Sequence, residues 1–226
     1  MFETFLRNFT ADPDRASDTG IAPNFGIAEV DELIARFGGA SFNRGIYRIM
    51  RVSDVKPWQA RISLGFPEIG PRVTCFGYDW LGRVFAADGQ RRERGRAAVM
   101  MFEPGTGLAL EIPETVEGLH DKELVSYGEE VLAVSLHERW LANGGPEPAF
   151  GECIGFKVPM FLGGSDDLGN LELSDIEVYW HLTGQLIVKT RDLPPDRPHV
   201  YRLNRAAVLT ETTTVTLWCN CSGRSR

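Results

Sequence analysis

Gly151-Glu-Cys-Ile-Gly-Phe-Lys-Val-Pro-Met-Phe-Leu-Gly-Gly-Ser-Asp-Asp-Leu-Gly-Asn-Leu-Glu-Leu-Ser-Asp-Ile-Glu-Val-Tyr-Trp-His-Leu-Thr-Gly-Gln-Leu186 is the stretch whose reading decides the architecture. Phe150 to Leu162 is strand-like, as one long strand or a pair, and Pro159 restricts it to an edge or a bulge because proline lacks a ladder donor. Gly163-Gly164 makes a corner. Ser174 or Asp175 is placed to cap a helix in which Ile176, Tyr179, Leu182, Thr183, Leu186 and Ile187 share one face. Asp192-Leu-Pro-Pro ends that helix. Strand, glycine corner, acidic cluster and amphipathic helix follow one another with no evident nucleophile, a pattern that suits binding.

Upstream, Phe2, Phe5, Leu6 and Phe9 recur at helical spacing. Ile27, Val30, Leu33, Ile34 and Phe37 mark a second helix stopped by Gly38-Gly39. Gly45 to Met50 reads as a strand, and Asp54 to Leu64 as a short helix behind Trp58. The period then changes to two. Arg72–Tyr78 and Leu81–Ala87 flank Asp79-Trp80 as one hairpin. Ala98–Glu103 and Leu108–Ile112 flank Pro104-Gly-Thr-Gly as another. Gln90 to Arg96 forms a basic tip between the pairs. Glu114 to Asn143 returns to helical spacing, with Leu132, Leu136, Trp140 and Leu141 along a face. Val208 to Trp218 could add a strand. The predicted fold is α+β, an antiparallel or mixed sheet with flanking helices. It is expected as two closely packed subdomains, 1–113 and 114–195, followed by a tail, 196–226.

A hydrophobic share of 43%, with 13 Phe and 5 Trp, supplies material for a filled core. No apolar run approaches the roughly 20 residues of a membrane helix. The first residues lack a basic stretch followed by an apolar one, so a cytoplasmic protein is expected. Of the four cysteines, Cys75 and Cys153 sit in apolar runs as small hydrophobes. Cys219 and Cys221 stand too close for an unstrained disulfide and lack a second ligand pair for zinc.

The net charge of −7 is uneven. Residues 1–113 hold 14 basic and 14 acidic side chains, whereas 103–196 hold 5 basic and 18 acidic, a local −13. Such a field repels nucleic acid and attracts basic partners. A solvated acidic surface is the competing explanation.

Tests for chemistry fail. His137-Glu138 begins like a zincin helix, but position 141 is Leu. No Gly-x-Ser-x-Gly elbow, Walker loop or dinucleotide fingerprint occurs. Asp166 and Asp167 would oppose a phosphate at Gly163-Gly-Ser, and the ligand alternation of an EF-hand is missing. Arg91, Arg92, Arg94 and Arg96 lack the interleaved aromatics of a nucleic-acid surface. No enzyme activity, metal or cofactor is expected from these residues.

Gly151 to Gly164, with Asn170-Leu-Glu-Leu and the helix Val178-Tyr-Trp-His-Leu-Thr-Gly-Gln-Leu, resembles the C-terminal domain of immunity proteins paired with type VI secretion DNase toxins. In that family the domain follows a GAD-like N-terminal domain. Phe37-Gly-Gly-Ala-Ser-Phe-Asn-Arg-Gly-Ile-Tyr-Arg-Ile and Phe76-Gly-Tyr-Asp-Trp-Leu-Gly-Arg-Val-Phe resemble the latter. The resemblance covers roughly Met1 to Pro195. The arginine-rich insert at 90–96 and the tail after Asp196 depart from the pattern. It implies a protein that binds a cognate toxin nuclease and blocks its active site, with no direct nucleic-acid or membrane contact.

An acidic surface can occupy a nuclease's basic cleft and speed association. The expected partner contacts are Asp166, Asp167, Glu172, Asp175 and Glu177, with Trp180 as an aromatic anchor. Solvated surface is the alternative for each carboxylate, and the core for Trp180. The rival function is an intracellular adaptor binding a peptide or small molecule in an apolar pocket. An unfamiliar enzyme would need groups converging around His181 and Cys153.

Overall fold

The computed structural model describes residues 1–13, 16 and 22–191, and the backbone of two short paired strands, His199–Arg202 and Thr214–Leu217. Cys219, Cys221 and most of the expected tail lie outside the described residues.

The predicted meander forms. Strands β1 (Ser41–Phe42), β2 (Tyr47–Ile49), β3 (Val73–Asp79), β4 (Val84–Glu93), β5 (Arg96–Glu103) and β6 (Leu108–Thr115) make one antiparallel sheet in chain order. Asp79 shapes the β3–β4 turn, because its Oδ1 accepts from the backbone N–H groups of Leu81 and Arg83 at 3.0 and 2.8 Å. Its Oδ2 accepts from Arg83 Nε at 2.6 Å, which satisfies a fully buried carboxylate. Pro113 sits within β6, an edge strand, where a missing donor costs no ladder bond.

Both faces of the sheet are covered, by sequence alternation. Phe85, Ala87, Ala97, Val99 and Met101 face one core, and Val84, Ala86, Met100 and Phe102 the other. A register shift between Cys75 and Gly77 keeps Phe76 on the first face and Tyr78 on the second. Helices α1 (Glu3–Asn8) and α2 (Ala28–Phe37) cover the first face through Phe2, Phe5, Val30, Leu33 and Ile34. Helix α3 (Val52–Gly65) covers the second with Trp58 and Ile62.

After β6 the expected helical region breaks into short pieces. These are α4 (Val116–Gly118), a π-helical turn (Leu119–Glu123), α5 (Leu124–Ser126), α6 (Gly128–Leu132) and α7 (Val134–Ala142). The π turn lets Asp121 reach back to α1, whose backbone N–H groups at Phe2, Thr4 and Phe5 it accepts at 3.1, 2.9 and 2.9 Å.

The decisive stretch folds as a hairpin and a helix. Strand β7 is shorter than expected (Glu152–Phe156) and pairs antiparallel with β8 (Leu171–Asp175), a strand the periodicity did not reveal. Helix α8 (Ile176–Thr190) follows, and Asp175 caps it by accepting from the N–H groups of Glu177 and Val178, both at 2.9 Å. Helix α8 crosses α3 where Gly65 meets Gly184: a Cβ built on Gly65 would lie 3.7 Å from Gly184 Cα. Each core contains residues from both sides of position 113.

Candidate partner interface

The acidic rim begins at the corner after β7. Gly163 adopts φ +87, and a Cβ on Gly164 would overlap the Val158 carbonyl, so the chain can turn this tightly only with glycine. Asn170 locks the corner from inside. Its Nδ2 donates to the carbonyls of Val158 and Ser165, both at 2.8 Å, and its Oδ1 accepts from Val158 N–H at 3.0 Å. The loop tip carrying Asp166 and Asp167 is thereby exposed.

The expected contact residues divide by their work in the fold. Asp167 caps the 3₁₀ turn Leu168–Asn170 by accepting from Asn170 N–H at 3.2 Å. Bonding from Ser165, together with the backbone N–H groups of Gly169 and Asn170, holds its carboxyl below the ordinary range. Asp175 caps α8, and Glu177 pairs with Arg61 of α3. Asp166 and Glu172 are exposed, and among the described residues neither is given a capping or pairing role.

Trp180 requires a correction. It is 1% exposed and packs edge-on to Trp58 at 6.1 Å, and its indole N–H donates to the Gly82 carbonyl at 2.7 Å. It is a core residue and presents no surface to a partner. Its position in the stripe of Ile176, Tyr179, Thr183 and Ile187 already placed it near the buried side.

The basic tip is tighter than its sequence suggests. Arg94-Gly95 forms a two-residue turn with both φ values positive, between the pairs Arg92–Ala97 and Glu93–Arg96. Most of its arginines meet the chain's own carboxylates. Arg94 engages buried Glu114 at 2.8 Å, Arg96 bridges Glu29 and Glu117 at 2.8 Å, and Arg91 reaches Glu111 at 3.1 Å. Lys122 also donates to Glu114, at 2.9 Å.

The residues considered for catalysis do not converge. Cys153 is buried against Gly82 and Tyr179, and desolvation pushes its thiol pKa up. His181 shares a hydrogen bond with Gln185 at 2.7 Å. Among the described residues, no group of three or more His, Cys, Asp or Glu side chains could hold a metal ion. No helix among them is long and apolar enough to cross a membrane.

One concavity was not anticipated. Between α7 and the β1–β2 turn lies a cleft of about 610 Å³ lined by Phe9, Asn43, Arg44, Ile46, His137 and Leu141, among others. Its lip is the run Asn43, Arg44, Gly45, whose φ values are 50, 63 and 78. Asn-Arg-Gly after a strand was the available sequence signal, since asparagine and glycine tolerate the left-handed region.

Comparison with known proteins adds family and fold. Residues 117–187 match the family described as "T6SS immunity protein Tdi1, C-terminal". That span contains the whole stretch from Gly151 to Leu186, so the C-terminal resemblance holds. A solved structure, "Crystal structure of Atu4351 from Agrobacterium tumefaciens", aligns over 94% of this chain and 97% of its own at a TM-score of 0.54 and 12% identity. At that identity the likeness concerns the fold alone. A search of curated proteins gives no match.

Proposed function

We propose that this chain, which carries the type VI secretion immunity C-terminal domain over residues 117–187, is an immunity protein for a cognate toxin. The toxin is a DNase, and the acidic segment of this chain occludes its DNA-binding cleft. The observation that carries the reading is the coincidence of the matched domain with the −13 window of residues 103–196. A DNase cleft is basic because it holds a polyanion, so an acidic surface competes for it and steers association. The rim at Asp166 and Glu172 is the proposed leading contact. Asp167, Asp175 and Glu177 shape that rim and contribute charge.

On this reading the chain has no enzymatic role, needs no cofactor, works in the cytoplasm and touches nucleic acid only by excluding it. Residues 1–113 form the GAD-like portion and 114–195 the immunity portion. The test is co-expression with the nuclease encoded by the adjacent gene. A stable complex and suppressed DNA cleavage are expected, and undiminished cleavage in the presence of excess chain overturns the reading.

A further inference from the structure

The strand edges of the two sheets are not equally open. Residues 10–12 run along β1, where Ala11 bridges Phe42 and Asp12 N–H donates to the Ser41 carbonyl at 2.8 Å. The edge of β6 is guarded by Pro113, which has no donor, and by Glu111, which Arg91 already holds at 3.1 Å. The outer groups of β7 are engaged as well. Ile154 N–H donates to the Trp80 carbonyl at 2.6 Å, and Phe156 N–H donates to the Tyr179 hydroxyl at 3.2 Å.

Strand β8 differs. At one end of its hairpin Lys157 N–H donates to the Asn170 carbonyl at 2.8 Å, and at the other Ile176 N–H donates to the Gly151 carbonyl at 3.0 Å. Bonded and non-bonded positions alternate along an antiparallel pair. With Ile154 opposite Leu173, these two bonds turn the backbone groups of Glu172 and Ser174 towards β7 and those of Leu171, Leu173 and Asp175 away from it. The Leu171 N–H is used by the Leu168 carbonyl. Four groups remain facing outward: the Leu171 carbonyl, the N–H and carbonyl of Leu173, and the Asp175 N–H. None of them meets a partner among the described residues. The edge is reachable, since Leu173 is 40% exposed and Glu172 and Asp175 are exposed.

The side chains restrict what can join. Leu173 shares a face of the hairpin with Ile154 and Phe156, and Glu172 points to the opposite face. The Glu172 carboxylate is exposed and has no ion pair among the described residues, whereas Glu177 is held by Arg61. An unpaired carboxylate beside an open edge disfavours a second copy of the same acidic rim and favours a strand that brings a cation. An apolar residue opposite Leu173 with basic neighbours on either side meets both demands, because alternate residues of an extended segment point to opposite faces.

We propose that the free edge of β8 takes up an extended basic–apolar–basic segment of the toxin as a third strand beside β7 and β8. The toxin as the source of that segment rests on the immunity reading above, and the pairing rests on the backbone of β8.

The first test follows amide hydrogen exchange residue by residue in the full chain, alone and with the nuclease encoded by the adjacent gene. Alone, Leu173 and Asp175 should exchange at least about tenfold faster than Glu172 and Ser174, which are bonded to β7. In the complex, Leu173 and Asp175 should slow by at least about 100-fold, and Glu172 and Ser174 far less. A complex that suppresses cleavage while Leu173 and Asp175 exchange as in the free chain overturns the pairing and leaves the immunity reading standing.

The second test titrates the chain with N-acetyl-Thr-Lys-Val-Lys-Thr-amide while following the β8 amide resonances by NMR. This peptide should bind at least about fivefold tighter than its N-methylvaline analogue, which cannot donate to the Leu173 carbonyl. It should also bind at least about threefold tighter than the Thr-Glu-Val-Glu-Thr peptide. Glu172→Lys alters an exposed side chain and should reverse that charge preference with an unchanged melting temperature. Equal binding by the methylated peptide overturns the backbone pairing. Dimerisation of the free chain with Leu173 already protected gives the edge to a second copy and overturns the proposal. A chain that discriminates between the peptides but forms no complex with the nuclease defeats the immunity reading and the toxin as source together, leaving the strand-accepting edge in place.

Discussion

Trp180 donates its indole N–H to the carbonyl of Gly82 at 2.7 Å, across 98 positions of sequence. The bond ties α8 to the β3–β4 turn, so the most recognisable helix of the chain is anchored in the opposite half. Trp180→Phe keeps most of the buried ring and orphans that carbonyl. A loss of about 1–3 kcal/mol is expected in urea unfolding, with no change in the rate of toxin association. A slowed association at unchanged stability would show that Trp180 reaches the partner after all.

Two glycines of the same stretch should respond differently to alanine. A Cβ on Gly155 would lie 2.8 Å from the Tyr179 ring, whose hydroxyl accepts from Phe156 N–H at 3.2 Å. Gly155→Ala must therefore shift a buried, bonded ring, costing about 1–3 kcal/mol. Gly151 has φ +91 but nothing within 4 Å of its Cβ position. Gly151→Ala meets only backbone strain, about 1 kcal/mol. Thermal melts of the two variants decide the order.

Asp121 caps α1 from far along the chain. Asp121→Ala removes the acceptor for three backbone donors and should cost about 1–2 kcal/mol. Because the loss is local, amide exchange at Thr4 and Phe5 should accelerate well before the sheet amides respond. Uniform acceleration would mean that α1 and the sheet unfold as one unit.

Stability should fall on mild acidification. His120 is fully buried, with Nδ1 bonded to the Val116 carbonyl at 2.7 Å and Nε2 facing the Tyr47 hydroxyl at 3.1 Å. Burial lowers the pKa of both His120 and His137 to about 4. An unfolded histidine titrates near 6.5, so between about 4 and 6.5 the unfolded chain binds more protons and stability rises with pH. The contribution is complete above about 6.5, declines as pH falls towards 4, and is about 3 kcal/mol for His120. Urea midpoints from pH 7 to 4.5 should track this decline, and His137→Phe should flatten it. A midpoint independent of pH in that range contradicts the burial of both rings.

Charge reversal should separate steering from folding. Asp166→Lys with Glu172→Lys alters two exposed carboxylates and should slow toxin association about tenfold at low salt, with the difference shrinking as salt is added. Asp167→Lys instead removes the cap on Asn170 and should lower stability as well. Unaltered association in the double variant places the contact face elsewhere.

The sequence by itself determined the elements wherever a single face repeated. Helices at Glu3–Asn8, Ala28–Phe37, Val52–Gly65 and Ile176–Thr190, and the hairpins around Asp79 and Gly105, were all legible, because periodicity and turn residues are local properties. It also showed where the acidic charge lies along the chain, and the glycine-rich motif between Gly151 and Leu186.

Only the tertiary structure decided what those residues do. β8 was hidden because Glu172, Leu173 and Asp175 are exposed and only pairing with β7 makes the segment a strand. Trp180 became core, and Arg91, Arg94 and Arg96 of the basic tip found Glu29, Glu111, Glu114 and Glu117. His137 gained a cleft to line. The bond that fixes Trp180 and the pairs of the basic tip join groups 20 to 98 positions apart in the chain. A one-dimensional pattern records how often a side chain recurs, whereas burial and pairing depend on which distant groups the fold brings within a few ångströms.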